Sequence, residues 1–467
     1  MSRDRDESTR TVEGEEVDYD SLGRAEAPRL VLALACQRPL DPGIRISLTA
    51  ARELHLHRGT RLEITRSGGR IDLSLDDDAM SRQHAVLRRV VGGWELEDLG
   101  SKNGTVVGGD RYMRTTLADG DLVEIGSTVL MFRETDVGNH AAREMADRDL
   151  AVAFDSSEPP VFRTMALDLE HHLADLSRIA PSLLPVLVHG ETGTGKELIA
   201  RAVHDLSGRR GPFIAINCGA LPRNLVESEL FGYRRGAFSD AKEDREGLIR
   251  RASGGTLFLD EVAELPAESQ VALLRVLQEN EVRPLGALEH VTVDVRVVAA
   301  THQDIPQRIA AGQFRQDLYA RLAGFQVSLL PLRDRREDLG ILVAQILRRI
   351  GPDAEHVTFH RQAARALFSY GYPLNIRELE QALRAAVVFS RGGQIRPEHL
   401  PEAIRHCRPP AGLALDPEDQ ALRERLHDVL SETHGNVAAA ARKLHKAPMQ
   451  VRRWCRRLAI DLAAFRP

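Results

Sequence analysis

Few cysteines, no long apolar run and no excess of positive charge set the first limits on this chain. Its 467 residues include only four cysteines, at positions 36, 218, 407 and 455, and none of them forms a C-x-x-C pair. This spacing argues against a zinc site and against a disulfide framework. No stretch approaches the roughly 18 consecutive apolar residues of a membrane span, and the polar start Met1-Ser-Arg-Asp-Arg-Asp-Glu7 lacks the apolar core of a signal peptide. The composition therefore predicts a cytoplasmic protein with no membrane partner.

Charge has to be considered segment by segment. The formal net charge is −5 at pH 7, so no basic field over the whole chain indicates a nucleic-acid partner. Residues 1–27 are acidic and contain few large apolar residues, which predicts a disordered tail. The full length is too great for one ordinary core, and roughly two to four domains are expected.

Between residues 28 and 135, short strand-like runs alternate with turn signals. Apolar or alternating runs occur at 30–34, 61–64, 94–97 and 129–132, and glycine, aspartate and asparagine punctuate the sequence between them. Many short strands separated by turns predict an all-β sandwich or barrel. A linker is expected at 136–160.

Three motifs in this region, at 64–67, 81–85 and 98–105, resemble those of the forkhead-associated (FHA) domain in residue type, order and separation. That family binds phosphothreonine peptides at one end of an eleven-stranded sandwich. An arginine fork with hydroxyl donors suits a dianionic phosphate. A sandwich kept for packing alone is the alternative. The resemblance implies that Asn103 holds the peptide backbone and that the phosphate faces Arg66, Ser81, Arg82 and Lys102.

A glycine-rich stretch, Gly190-Glu-Thr-Gly-Thr-Gly-Lys-Glu197, fits the G-x-x-x-x-G-K pattern of a phosphate-binding loop. An apolar run before it predicts a buried strand, and apolar residues at helical spacing after it predict a helix. The glycines let the backbone bend around a phosphate chain, towards which backbone N–H groups and the helix N-terminus point. The predicted ATP-binding residues of this loop are Gly190, Glu191, Thr192, Gly193, Thr194, Gly195, Lys196 and Glu197.

A second apolar run, at 255–259, ends in two carboxylates, Asp260 and Glu261. Hydrolysis of Mg·ATP needs such a pair, because Asp260 can hold the metal, directly or through water, while Glu261 polarises the attacking water. Glu197 occupies the position of the usual Ser/Thr metal ligand, so Asp260 is expected to carry more of the Mg²⁺ binding. Strands that alternate with helices predict a parallel α/β sheet with its ligands at the carboxyl ends of the strands.

About 240 residues around these motifs resemble the AAA+ domain of sigma-54-dependent transcription activators, the bacterial enhancer-binding proteins. In that family a glutamate after the loop lysine is usual. The resemblance implies an ATPase core at 161–345 and a helical lid at 346–407. The matching stretches are 190–197, 217–218, 227–232, 255–261, 273–278, 294–301, 314–322 and 331–339.

The resemblance also implies roles for residues that no local pattern would single out. Asn217 would hold Glu261 inactive until nucleotide is sensed. Thr301 would be the first sensor, followed here by His302 where the family usually has asparagine. Arg377, in the lid, would be the second sensor.

Two arginines, Arg315 and Arg321, would act as arginine fingers that reach the nucleotide of the neighbouring subunit. An arginine supplied in this way neutralises transition-state charge and is worth about 10³–10⁵ in rate. The role requires a homo-oligomeric ring, usually a hexamer in this family. Ordinary salt bridging at the surface is the alternative for both residues.

The stretch Gly236-Ala-Phe-Ser-Asp-Ala241 stands where the family has Gly-Ala-Phe-Thr-Gly-Ala, the loop that contacts sigma-54. The implied contact residues are Gly236, Ala237, Phe238 and Ser239. Asp240 replaces a glycine with a charge and a less permissive backbone. Two interpretations stay open: the loop still engages sigma-54, or it has lost that partner while ATPase activity and DNA binding remain. The retained Phe238 favours the first.

After a linker at 408–416, the segment 417–467 has the pattern helix, short turn, helix, which predicts a helix-turn-helix. It resembles the Fis-type module that ends most proteins of the family. Its end is locally basic, as expected for phosphate neutralisation on promoter-upstream DNA. A solvated basic helix without a specific site is the alternative. The candidate groove residues are Gln450, Arg452, Arg453 and Arg456.

The sequence thus predicts a multidomain protein: an all-β FHA sandwich, an α/β AAA+ P-loop domain with a helical lid, and an all-α helix-turn-helix. The predicted function is ATP-driven remodelling of the sigma-54 RNA polymerase holoenzyme, regulated by a phosphothreonine peptide made by a Ser/Thr kinase. A DNA-binding regulator whose ATPase no longer engages sigma-54 is the alternative. An unrelated AAA+ unfoldase or replication motor conflicts with the helix-turn-helix and with Phe238.

Overall fold

The structure is a computed structural model that describes residues 24–41, 43–91, 93–138, 148–149, 159–238, 241–406, 417–433, 435–444, 446, 451, 454–455, 460 and 465. These residues form a β-sandwich, an α/β core with a helical lid, and a small helical unit, which confirms the predicted fold class. Over the described ranges, no helix has the length and apolarity that a membrane crossing needs.

The sandwich consists of a seven-stranded and a six-stranded sheet, rather than the eleven strands implied by the resemblance. Its strands are β1 (Arg24–Ala35), β2 (Ile44–Ser47), β3 (Glu53–Arg58), β4 (Glu63–Ser67), β5 (Arg70–Leu75), β6 (Ala85–Val90), β7 (Gly93–Asp98), β8 (Thr105–Val107), β9 (Asp110–Tyr112), β10 (Arg114–Leu117), β11 (Leu122–Ile125), β12 (Thr128–Gly138) and β13 (Arg148–Asp149). The strand order is β13-β2-β1-β12-β11-β8-β9 in the seven-stranded sheet and β10-β7-β6-β3-β5-β4 in the six-stranded sheet. Alternating residues, such as Ile71, Leu73 and Leu75 in β5, face the core. Because β1 begins at Arg24, it takes in the last four residues of the predicted tail.

The α/β core is built on a five-stranded parallel sheet in the order β15-β18-β21-β14-β22. Its strands are β14 (Val186–Gly190), β15 (Phe213–Asn217), β18 (Thr256–Asp260), β21 (Arg296–Thr301) and β22 (Phe325–Leu329), and the short strands outside this sheet are β16 (Gly232–Tyr233), β17 (Arg245–Glu246), β19 (Glu281–Val282) and β20 (Val291–Thr292). Its helices are α1 (Leu167–Ile179), α2 (Lys196–Leu206), α3 (Arg223–Phe231), α4 (Leu248–Arg251), α5 (Ala267–Glu279), α6 (Ile305–Ala310) and α7 (Gln316–Leu322). Since all five strands run in one direction, their carboxyl ends form one edge of the core.

The lid region includes a helix that spans the predicted boundary at residue 346. It comprises α8 (Leu339–Ile350), β23 (Thr358–Phe359), α9 (Arg361–Ser369), α10 (Asn375–Ser390), β24 (Gln394–Ile395) and α11 (Glu402–Arg405). Farther along the chain, α12 (Pro417–Glu432) and α13 (Val437–Lys443) pack through Leu426, Leu430 and Ala440. Val451 is buried in the same cluster and Trp454 packs against it.

The sandwich and the lid share one hydrophobic core. Ala33 and Met131 of the sandwich belong to the same buried cluster as Val343 and Leu347 of α8. At Gly340, helix α8 lies so close to β1 that an added Cβ would stand 1.7 Å from the carbonyl oxygen of Ala33. Glycine therefore permits this approach, and the sandwich is packed onto the motor directly.

Ion pairs surround this interface. The Glu337 carboxylate, 1% exposed, accepts a hydrogen bond from Arg133 at 2.6 Å and lies 3.5 Å from an Arg29 nitrogen. Glu124 pairs with Arg365 of α9 through two bonds of 2.6 and 2.8 Å. The same sandwich also contacts the α/β core, where Arg45 lies 2.7 Å from Glu170 of α1. The sandwich thus contacts both the core and the lid.

Candidate ATP site and phosphopeptide face

The predicted phosphate loop joins β14 to α2. Gly193 and Gly195 have φ values of 81° and 104°, which a residue with a Cβ rarely adopts. Lys196 is buried, and its Nζ donates to the Gly190 carbonyl oxygen at 2.8 Å. The same Nζ lies 3.7 Å from Oε1 of Glu261. The structure therefore brings together the glycine loop, the lysine and the second carboxylate, as the sequence predicted.

Asp260 ends β18 at the carboxyl edge of the sheet. Its Oδ2 accepts a hydrogen bond from Asn217 Nδ2 at 3.0 Å. Burial, and then the negative charge of Glu261, raise the pKa of Asp260 above its usual range. A divalent cation would offset both causes, so the oxygen donors present here fit Mg²⁺.

Glu261 contacts His302 instead of Asn217. His302 Nδ1 lies 2.7 Å from Glu261 Oε2, whereas the Asn217 amide nitrogen is bonded to Asp260. The implied contact between Asn217 and Glu261 is therefore not formed in this structure, and the nucleotide-dependent role of Asn217 stays a prediction. The signal that was available was the departure at residue 302, where an imidazole follows β21 in place of the family's usual asparagine amide.

The lid reaches the phosphate loop through the start of α10. Ile376 donates its backbone N–H to the Gly193 carbonyl oxygen at 3.0 Å. An added Cβ on Gly193 would stand 2.2 Å from the Leu374 oxygen and 3.2 Å from the Arg377 Cβ. The predicted second sensor, Arg377, thus lies beside the loop. Thr301, the predicted first sensor, is fully buried at the end of β21.

Two glutamates of the loop use their side chains to bind arginines. Glu191 accepts two bonds from Arg333, at 2.8 and 2.6 Å, and one from Asn375 at 3.1 Å. These partners, Arg333 first, lower the pKa of Glu191 to about 2. Glu197 pairs with Arg201 one turn along α2 at 2.8 Å. The Glu191 carboxylate thus links the phosphate loop to the start of the lid.

The two predicted arginine fingers lie at the surface around α7. Arg315 pairs with Asp317 through bonds of 3.0 and 2.6 Å, and Arg321 is exposed. Arg315 is thus held by a residue of α7 and not by the phosphate loop of its own chain.

The predicted sigma-54 loop is held at its base. Gly236 N donates to the Ala241 carbonyl oxygen at 2.8 Å, and Ala241 N donates to that of Phe238 at 3.0 Å. Asp244 accepts from the backbone N–H of Arg235 at 2.8 Å. The Phe238 side chain remains 41% exposed, with its ring 4.9 Å from that of Tyr233. The predicted contact Ser239 and the neighbouring Asp240 lie outside the described residues.

The predicted phosphopeptide loops meet at one end of the sandwich. Ser81 Oγ accepts from the backbone N–H of Lys102 at 3.0 Å, and Asn103 Nδ2 donates to the Ala79 oxygen at 2.7 Å. His84 is fully buried, and its Nδ1 accepts from Ser81 N at 3.1 Å, so it braces the loop. Arg82 and Lys102 are exposed beside this pair.

Arg58, not Arg66, lies at this end. Strand β3 runs parallel to β5, so Arg58 is paired with Leu75, and its N–H donates to the Ser81 oxygen at 3.0 Å. Arg66 is paired with Ile71 near the other end of β5, and its guanidinium donates to the Ser47 oxygen at 3.0 Å. The placement of Arg66 with Ser81 is therefore wrong, since about four residues of strand, roughly 13 Å, separate them. The alternating run Leu54-His-Leu-His-Arg58, which ends at the C-terminus of β3, was the missed signal.

The candidate DNA-contact residues Gln450, Arg452, Arg453 and Arg456 lie outside the described residues. Helices α12 and α13 and the cluster that joins them are the described part of the predicted helix-turn-helix.

Three family models match the chain. Residues 65–126 match the FHA domain, residues 164–328 the sigma-54 interaction domain, and residues 333–414 the AAA+ ATPase lid domain. The FHA match begins at residue 65 and so includes Arg66, but the strand register described above decides which arginine adjoins Ser81.

Curated relatives agree with these matches. The chain is 42% identical to the response regulator protein PilR of Pseudomonas aeruginosa, over 61% of this chain and 67% of that protein. It is 43% identical to the transcriptional regulatory protein ZraR of Escherichia coli, over 59% of this chain and 64% of that protein. The chain thus spans about two thirds of the length of these relatives. For the hydrogenase transcriptional regulatory protein HoxA of Cupriavidus necator, the identity is 47% over 50% of this chain and 49% of that protein.

Solved structures also resemble the chain. The structure of NtrX from Brucella abortus in complex with ADP is 30% identical, with a TM-score of 0.51, over 64% of this chain and 70% of that chain. The structure of NtrX in complex with ATP is 29% identical, with a TM-score of 0.50, over 63% of this chain and 69% of that chain. The chain belongs to the family of sigma-54-dependent transcription activators, with an FHA domain ahead of a AAA+ ATPase core and its lid.

Proposed function

We propose that this protein uses ATP hydrolysis to remodel the sigma-54 RNA polymerase holoenzyme at promoters. The observation that carries the proposal is the presence, on one α/β core, of the Lys196–Glu261 site and of a loop that exposes Phe238. An ATPase without a partner would not need an apolar side chain held at the tip of a braced loop. A relative in complex with ATP supports ATP as the nucleotide.

In this proposal, Lys196 and the backbone N–H groups of the phosphate loop bind the phosphates of ATP. Asp260 would hold Mg²⁺, which would offset the negative charge of the phosphates. Glu261 orients the attacking water and accepts a hydrogen bond from it. Thr301 and Arg377 lie next to this site and report the state of the nucleotide to the core and the lid.

Arg315 and Arg321 complete the site of the next subunit in a ring, which the family leads us to propose is a hexamer. Both are surface residues, and the pairing of Arg315 with Asp317 can be exchanged for a phosphate at little cost, because the pair is solvent-exposed. Upstream promoter DNA is bound by the C-terminal helix-turn-helix, whose helices α12 and α13 support that role.

The sandwich regulates the motor by binding a phosphothreonine peptide, the product of a Ser/Thr kinase. Ser81, Arg82 and Lys102 face the phosphate, joined by Arg58 in place of Arg66, and Asn103 holds the peptide backbone. A hydroxyl, backbone donors and guanidinium groups at the end of a rigid sandwich suit a dianionic phosphate.

A short hydrogen-bonded path supports transmission from this face to the lid. Asp77, in the loop before Ser81, accepts from Ser127 N at 2.7 Å. Ser127 O accepts from Cys36 N at 2.9 Å, and Cys36 O accepts from Phe359 N in the lid at 2.7 Å. A peptide that reshapes the Ser81 loop therefore acts on elements that touch the lid. The sandwich contacts the core as well as the lid. A change in the Ser81 loop therefore alters the movement of the lid relative to the core.

Transcription in vitro tests the proposal against its alternative. Sigma-54 polymerase, a supercoiled template and this protein should yield open complexes only with hydrolysable ATP. Turnover of ATP without open complexes would support the alternative, a DNA-binding ATPase that has lost sigma-54. The Asp240→Gly variant, which restores the family residue, shows whether the altered loop is the cause.

A further inference from the structure

Both oxygens of the Glu261 carboxylate face donors. Oε2 lies 2.7 Å from His302 Nδ1 and 3.4 Å from the His302 backbone nitrogen. Oε1 faces the Lys196 ammonium at 3.7 Å. A carboxylate engaged in this way is a poorer acceptor for the hydrogen of an attacking water, because its lone pairs already serve charged or polar donors.

Asn217 is not free to share this task. Its amide nitrogen donates to Asp260 Oδ2, and its Oδ1 accepts from the backbone N–H groups of Gly219 and Ala220, both at 3.0 Å. A rotation of the Asn217 side chain towards Glu261 would break three hydrogen bonds. His302 therefore holds Glu261 while Asn217 is committed to Asp260 and its own turn.

The segment around His302 is itself anchored to the turn that follows Glu261. Gln303 donates to Glu264, and Arg308 donates to Glu264 at 3.0 Å and to the Ala263 oxygen at 2.9 Å. These bonds fix the distance between the end of β21 and residues 262–264. The backbone that carries His302 is thus anchored beside Glu261, while the His302 side chain that makes the contact is 45% exposed.

We propose that His302 is a positioning residue that restrains Glu261 and releases it when the end of β21 shifts. Thr301, the proposed first sensor, is the neighbouring residue on that strand, so a movement driven by nucleotide reaches His302 directly. The inference rests on the proposed role of Glu261 in ATP hydrolysis. It assigns to His302 the restraint that the resemblance implied for Asn217.

Steady-state ATP hydrolysis by the full chain tests the inference. His302→Ala should raise the basal kcat about three- to tenfold, the size expected from the loss of one hydrogen bond of ordinary strength at a partly exposed position, with the KM for ATP unchanged. His302→Asn should return kcat towards the wild-type value, because its amide can still donate to Glu261. His290→Ala is the matched control, since that histidine pairs with Glu281 outside the ATP site and its loss should leave kcat unchanged.

A double-mutant comparison separates this inference from the proposed function. In a Glu261→Gln background, His302→Ala should have no further effect on single-turnover hydrolysis, because the group it restrains is gone. A fall in kcat for His302→Ala, or an equal change in both backgrounds, would overturn the restraint. If Glu261→Gln alone keeps full turnover, the proposed role of Glu261 fails instead. Melting temperatures of the variants identify any that have lost the fold.

Discussion

Glu337 allows the contact between sandwich and motor to be tested by one substitution. Its carboxylate is 1% exposed and lies between Arg133 and Arg29, whose side chains are 14% and 3% exposed. Removal of one partner of a buried ion pair costs about 3–5 kcal/mol, because the other charge stays buried. Arg133 keeps Asp119 at 3.1 Å. We therefore expect Glu337→Ala to lower the free energy of unfolding by about 3 kcal/mol, at the lower end of that range.

The assay is urea unfolding followed by the fluorescence of Trp94, which lies in the sandwich core, in a Trp454→Phe background. Glu63→Gln is the control, because Glu63 forms an exposed pair with Arg61 on the same sandwich. An exposed pair of this kind contributes at most about 1 kcal/mol to the free energy of unfolding. If the free energy of unfolding of Glu337→Ala is within about 0.5 kcal/mol of the wild-type value, the buried ion pairs do not stabilise the interface and the prediction is refuted.

Three further predictions concern the two sites. Arg58→Ala should weaken binding of a phosphothreonine peptide at least about tenfold by fluorescence anisotropy, and Arg66→Ala should have little effect; the reverse result would restore Arg66 as the phosphate ligand. Because the pKa of Glu191 falls from 4.5 to about 2 on folding, its stabilising effect is complete above pH 4.5 and is lost as the pH falls towards 2. The Tm difference between wild type and Arg333→Ala should therefore narrow from pH 5 to pH 3, and a constant difference would contradict this. Arg315→Ala should lower the ATPase kcat at least about 10³-fold without lowering the Tm of the protein. Near-normal turnover would contradict the role of Arg315 as an arginine finger.

Local sequence patterns predicted those parts of the ATP site that are formed by a single strand and the turn that follows it. The stretch 190–197 carries its own strand, turn and helix, and Asp260 follows a run of apolar residues, so both could be placed on the sheet edge from sequence alone. Parallel strands then bring such ends together whatever lies between them.

The errors came from contacts that depend on register and on distant packing. Arg66 has the spacing to Ser81 that the motif needs, and only the parallel pairing of β3 with β5 shows that Arg58 occupies that end. Sequence spacing carries no information on strand direction. The core shared by sandwich and lid was also not predicted, because Gly340 and Ala33 are far apart in sequence and each fits its own element equally well.

Open-complex formation is the most direct test of the central claim. The full chain, sigma-54 RNA polymerase and a supercoiled template are incubated with ATP or a non-hydrolysable analogue, and promoter melting is measured. The Glu261→Gln variant provides a protein that binds nucleotide with its proposed water-orienting group removed. The predicted result is melting with ATP and wild-type protein alone. Melting without hydrolysis, or sustained ATP turnover with no melting, would contradict the account.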